Sequence, residues 1–205
     1  MSQQQRTTLF ESAARMFYRG GYFATGAREI AAAAGVPQGS FTNYLRSKEA
    51  LGAGAIYTYF ARLRQTMKVS LQATDRSPAH RLDDYFDLIE GRLAASDWRV
   101  GCLIPDLAAD VPVRSEVLRE RLLAVMREQV GMFEAVLAEA SNGLDAGDLG
   151  AFVVAAWHGT LLRLKCERGP DPLRRFRRVL RLVLERALSS GTVTYADEHR
   201  TGDRT

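Results

Sequence analysis

The chain has 205 residues, 46% hydrophobic and 25% charged, with a formal net charge of +4. It is long enough for one domain or two small ones with a sizeable core. No apolar run approaches a membrane span, the polar start Ser2-Gln3-Gln4-Gln5-Arg6 is not a signal peptide, and Cys102 and Cys166 make neither a disulfide scaffold nor a zinc spacing, so a cytoplasmic globular protein is expected.

Leu9, Phe10, Ala13, Ala14 and Phe17 share one helical face and predict a first helix ending near Gly20-Gly21. From Glu29 to Leu45 the sequence reads as two short helices joined by a tight turn. The first is Ala-rich, which suits close packing, and Thr25 stands where its N-cap is expected. Gly35 falls where that helix stops and a positive φ is useful. Pro37 fits the first turn of the next helix, where a missing N–H costs little. That helix carries Gln38, Ser40, Thr42 and Asn43, side chains able to bond base edges or phosphates, while Phe41 and Leu45 are spaced to pack inward. A short polar helix on an Ala-rich partner is the layout of a helix-turn-helix that reads a major groove. Residues 1–50 also hold five Arg and one Lys against three Glu.

Ser47 is placed to cap a long helix to about Leu71 through Leu51, Ile56, Tyr57, Phe60 and Leu63. After a break at Thr74–Pro78, Leu82, Tyr85, Phe86, Leu88 and Ile89 predict a helix to about Ala95. Trp98 to Val111 reads as short and irregular, interrupted by Gly101 and Pro105. Ser115 caps a helix that Asn142-Gly143 ends. Another runs from about Asp145 to Arg168 and stops at Gly169-Pro170. The last begins with Asp171 as N-cap and Pro172 in the first turn, and ends before Gly191. Nothing alternates as a strand. The expectation is an all-α fold of about nine helices, divided into a three-helix DNA-binding domain (1–50), an effector-binding and dimerisation domain (51–191) and a flexible tail (192–205).

From about Thr8 to Leu51 the chain resembles the DNA-binding domain of TetR-type transcriptional repressors. The resemblance rests on Ala13-Ala14 with Phe17, Gly20-Gly21-Tyr22, Thr25, Glu29-Ile30-Ala31, Gly35-Val36, Gly39-Ser40-Phe41, Tyr44 and Ser47-Lys48-Glu49-Ala50-Leu51. Thr42-Asn43 departs from it, standing where the family often has an aromatic residue followed by His. The resemblance implies a homodimer on double-stranded operator DNA, its paired recognition helices about 34–36 Å apart. Expected DNA contacts are Thr25, Arg28, Gln38, Ser40, Thr42, Asn43, Tyr44 and Lys48. Of these, Gln38 and Asn43 are suited to adenine edges, and Arg28 and Lys48 to phosphates. In the family the last two helices dimerise as a four-helix bundle; the expected interface residues are Leu161, Phe176, Leu180 and Leu184. The arginines at 174, 175, 177, 178, 181 and 186 then read as a solvated face at that subunit contact.

The segment Arg99–Asp110, with Gly101-Cys102-Leu103, resembles a TetR subgroup that includes sensors of electrophiles and oxidants. Ala156–Lys165 and Asp171-Pro172-Leu173 are similar to that subgroup as well; Pro105, His158 and Cys166 depart from it. A small-molecule effector is implied. Two fates are open to Cys102: a thiol activated by Arg99 or Lys165, or a small buried hydrophobe. Trp98, Phe133, Trp157 and His158, with Tyr85 and Phe86, are expected either to line a pocket near Cys102 and Lys165 or to fill plain core. With three His and no Cys/His cluster, no metal, cofactor, catalytic triad or enzymatic activity is expected.

Overall fold

The computed structural model describes residues 1–37, 47–140 and 145–189, the side chains of 187–189 aside, and among them it is all-α: eight helices, one 3-10 turn and no strand. In chain order these are α1 (Gln3–Gly20), α2 (Ala27–Ala33), α3 (Lys48–Leu71), α4 (Pro78–Ala94), α5 (Leu103–Ala108), the 3-10 turn Val111–Val113, α6 (Glu116–Ala138), α7 (Ala146–Glu167) and α8 (Asp171–Ser189). The helix expected after Pro37, the Asn142-Gly143 stop and the tail lie outside the described residues.

The helix starts follow side chains that take otherwise unpaired N–H groups. Ser47 accepts from Ala50 N at 3.1 Å, Ser115 from Leu118 N at 3.3 Å and Asp145 from Asp148 N at 2.8 Å. Three expectations shift. Thr25 is not the cap of α2: Gly26 is, and its N–H is taken by the Glu29 carboxylate at 3.0 Å. Asp171 lies inside the first turn of α8, since Arg174 N already bonds Pro170 O at 3.0 Å. The span expected to be irregular contains α5, because Pro105 falls in its first turn, where no N–H is required.

α3 is the spine. α1 lies along it on one side and α6 on the other, α7 packs on α6, and α8 on α7 and α4. α1 approaches so closely that a Cβ at Gly54 would sit 2.2 Å from the Phe10 ring. Within the body, Tyr85, Phe86, Phe133, Trp157 and Phe176 form one aromatic cluster, with ring centroids of contacting pairs 5.1 to 6.2 Å apart.

α8 is strapped to α4 by charge. Arg177 reaches Asp83 (3.0 Å), Asp87 (2.5 Å) and Glu90 (3.3 Å), and Arg181 reaches Asp83 at 2.9 Å. Burial opposes ionisation of Asp83, yet the hydrogen bonds from Arg177 and Arg181 outweigh it and hold the carboxyl below its usual range. These two arginines therefore serve the chain's own packing and are not part of a free basic face.

The residues expected at a dimer interface are also mostly internal. Leu161, Leu180 and Leu184 are buried and Phe176 is half-buried in the chain's own core. The apolar side chains that α7 and α8 expose are others: Phe152, Leu162, Val179 and Leu182, each 40–56% accessible. An amphipathic helix with two adjoining apolar stripes does not reveal from sequence which stripe faces inward.

Candidate DNA-binding unit and effector pocket

α2 is seated on α1 through Ile30 and Ala31, both buried, and Gly35 closes it with φ +64°, as its position suggested. The next segment, with Gln38, Ser40, Thr42, Asn43 and Tyr44, lies outside the described residues. Its frame is defined on both sides. Arg28 is exposed on α2. Thr25 is buried, and its hydroxyl donates to Gly21 O at 2.7 Å, so its one proton is spent inside the turn. Lys48 donates from Nζ to Phe23 O at 3.2 Å and lies 4.7 Å from the Tyr22 ring centroid; burial pulls its pKa below the ordinary value. Lys48 thus ties the start of α3 to the turn before α2, a role that charge and spacing did not signal.

Two sets of contacts join this unit to the body. At one, the start of α6 meets the turn before α2 and the start of α3. The Arg114 guanidinium lies 4.6 Å from the Phe23 ring centroid, the Ser115 hydroxyl donates to the Glu49 carboxylate, and a Cβ at Gly52 would be 3.0 Å from Tyr22 and 3.1 Å from Leu118. At the other, the Gly101 N–H donates to the Tyr18 hydroxyl, and Lys165 Nζ is 5.4 Å from the Tyr18 ring centroid. Neither set was visible in the sequence, because each joins residues separated by tens of positions.

Cys102 is buried, and burial pushes its thiol up to about 11; the Tyr59 hydroxyl and the Lys165 charge pull it down by less. The cations expected to activate it are engaged elsewhere. Lys165 Nζ is 2.9 Å from both oxygens of Asp106, and Arg99 pairs with Asp97 at 3.3 Å. Cys102 sits packed in the core with neither expected cation free beside it, which is the setting of a small buried hydrophobe rather than of an activated thiol. Cys166 is the exposed cysteine.

The aromatic residues expected either in a pocket or in plain core are packed to different degrees. Phe133 and Trp157 are fully packed, the latter with its indole N–H on the Tyr85 hydroxyl, and Trp98 is half-buried in a left-handed conformation with φ +56°. His158 is half-buried on α7, its Nε2 has no hydrogen-bond partner among the described residues, and burial lowers its pKa to about 4. A cavity of about 630 Å³ opens instead between α1, α3, α4 and Val100-Gly101. Tyr18, Tyr59, Leu63, Ile89, Leu93 and Val100 form its floor, and Arg15, Arg19, Arg62, Arg92 and Glu11 its rim. None of the residues expected to bind an effector lines it. The i, i+4 spacing of Arg15 and Arg19 was legible, but the wall they face is made by α4.

The described part of the N-terminal unit is thus fastened to an all-helical body that holds a ligand-sized cavity, and comparison with known proteins gives its class as a DNA-binding transcriptional regulator. Residues 9–53 match the family described as "Bacterial regulatory proteins, tetR family", and residues 78–180 match "Tetracyclin repressor-like, C-terminal domain". The chain is 33% identical over 194 residues to the HTH-type transcriptional repressor DhaR of Mycobacterium sp. (strain GP1), covering 90% of this chain and 93% of that protein. It is 33% identical over 167 residues to the transcriptional regulator AcuR of Cereibacter sphaeroides, covering 77% and 75%. A crystal structure of regulatory protein TetR from Rhodobacter sphaeroides superposes with a TM-score of 0.77 at 26% identity, covering 84% of this chain and 95% of that one. The chain belongs to the TetR family of bacterial transcriptional regulators. Among the described residues, no helix is long and apolar enough to cross a membrane.

Proposed function

We propose that the protein is a homodimeric repressor of the cytoplasm that binds a pseudo-palindromic operator and releases it when a small molecule occupies the cavity between α1, α3 and α4. One observation carries this reading: the cavity wall is shared between α1, which belongs to the DNA-binding unit, and α3 and α4. An occupant that binds one setting of α1 more tightly than another shifts the population between DNA-competent and DNA-incompetent states. The name of the relative DhaR, a repressor, favours the same sign of regulation.

Base reading is assigned to the segment 38–46, with Gln38 and Asn43 on bases; Arg28, and the Lys48 donors that Phe23 does not take, are assigned to phosphates. The DNA-binding domain spans about residues 1–50, with α3 running through the junction, and the effector and dimerisation domain follows to about 191. The dimer face is the exposed side of α7 and α8. Phe152, Ala155, Gly159, Leu162 and Cys166 recur there at alternating spacings of three and four beside Val179 and Leu182, a pattern suited to helix packing across a two-fold axis.

Selection of bound fragments from a genomic pool with the purified protein tests the reading. Recovered sites should contain two inverted half-sites, and affinity should fall steeply with salt as phosphate contacts release counterions. Recovery of random DNA alone would overturn it. Induction is assigned to reversible binding, so Cys102→Ser should leave effector release unchanged.

A further inference from the structure

Resting on that reading of the cavity, we infer that its ligand is an amphiphilic organic anion: a carboxylate or phosphate head held by the arginine rim, with an apolar body on the tyrosine-lined floor. Among the described residues the rim sets four arginines against one carboxylate, Glu11, and Glu11 is already paired with Arg62. Arg15 donates to Ser12 Oγ at 2.9 Å and Arg92 to Thr66 Oγ1 at 3.1 Å, each to a neutral hydroxyl that leaves its charge uncompensated. Each fork keeps further N–H donors for a bidentate acid group, which Arg serves better than Lys. Below the rim, Leu63, Ile89, Leu93 and Val100 offer nothing charged, so a fully hydrophilic anion would leave that surface unused.

The backbone that leads into the cavity wall is held in an unusual setting. The segment leading into Val100 carries two consecutive left-handed residues, Asp97 (φ +54°) and Trp98 (φ +56°), closed by Trp98 N on Leu93 O at 3.0 Å. Such backbone settings are unfavourable for non-glycine residues, and here they precede Val100 and Gly101, which line the cavity. Gly101 in turn holds Tyr18 of α1 through its N–H. An anion drawing Arg15 and Arg19 of α1 toward Arg92 of α4 therefore acts across the same contact that fixes α1 to the body. Each rim arginine on its own is a solvated surface charge; their convergence over an apolar floor is what singles out the anion.

The test uses the intact protein and two probes with one apolar tail, decanoate and decanol, each displacing the fluorescent anion 8-anilinonaphthalene-1-sulfonate. Decanoate should displace it at least about tenfold more effectively than decanol, the difference expected from one charge-assisted hydrogen bond. The preference should shrink with ionic strength. Arg19→Ala with Arg92→Ala should abolish it, whereas Arg174→Ala with Arg178→Ala, in the basic groove of α8, should not. Equal displacement by both probes, or a preference lost equally in the two double variants, overturns the inference. Operator release is read separately by fluorescence anisotropy. Decanoate that binds with the expected arginine dependence while DNA stays bound would refute the induction reading and leave the ligand class standing.

Discussion

Acid should weaken this protein through His158, and the size of the effect follows from its burial. The imidazole is half-buried, its Nε2 has no partner among the described residues, and burial lowers its pKa from 6.5 to about 4. The unfolded chain takes up the proton near pH 6.5, while the folded chain refuses it until about pH 4. The contribution is therefore fully present above pH 6.5, is lost as pH falls toward 4, and changes no further below that. A gap of about two and a half units corresponds to about 3 kcal/mol in total, of which about 2 kcal/mol is gone by pH 5. Asp83 does not confuse this window: its carboxyl titrates below 3.8 in the folded chain, so its contribution is lost only at lower pH. The perturbation is His158→Met, which keeps an apolar side chain of similar bulk and removes the proton site. Urea unfolding of both proteins at pH 7.5 and pH 5.0, at one protein concentration, reads the effect. The parent should lose about 2 kcal/mol more than the variant between the two values. At pH 7.5 the variant should match or exceed the parent, because an unpartnered buried nitrogen is gone. Equal losses on acidification would show that His158 takes up its proton as readily in the folded chain as in the unfolded one and would refute the reasoning.

At pH 7.5 a thiol near pKa 11 is ionised on the order of a few parts in ten thousand, so iodoacetamide should leave Cys102 unmodified in the native protein and modify it in urea; rapid native labelling of Cys102 would refute its burial. Val179→Glu with Leu182→Glu should yield a folded monomer by light scattering that no longer holds operator DNA, and a dimer that persists would move the interface elsewhere. Gly54→Ala should lower stability by about 1–3 kcal/mol through overpacking, and the same change made in a Phe10→Ala background should cost far less in urea unfolding, since the Phe10 ring is what the new methyl meets. Asn43→Ala should weaken cognate DNA by about 1–3 kcal/mol and random DNA far less if Asn43 reads a base; equal losses in a competition assay would make it a backbone contact.

The local features of this fold were open to reading, because they depend on neighbours in the chain. Ser47 and Ser115 cap their helices as expected, the helix expected from about Asp145 begins there with Asp145 as its cap, and Gly35 is left-handed where a helix had to stop. Errors arose where two local solutions compete. Thr25 and Gly26–Glu29 both offer a start to α2, and the hydroxyl of Thr25 is taken by Gly21 O. The functional interior was much less legible. Phe133, Trp157 and Cys102 carry residue types suited to a pocket, yet close packing makes them core, while the cavity is bounded by arginines that look like ordinary solvated charge along each helix. Leu161 and Leu184 are covered by the chain's own core for a related reason, since apolar periodicity says that a stripe is covered but not what covers it.

α3 has no joint at the residue where the two domains were expected to divide: it continues unbroken from Lys48 to Leu71, and its first turns are gripped from outside by Ser115 and Leu118 of the body. Exchanging DNA-binding segments between relatives to rewire which operator answers to which ligand is therefore not a matter of cutting near residue 50. A transplanted segment carries its own counterparts of Phe23, Glu49 and Gly52, and the recipient must present matching groups at 114, 115 and 118. Hybrids that ignore those three positions should still fold and still bind DNA, yet respond weakly to ligand, and restoring Arg114, Ser115 and Leu118 is the repair to try first.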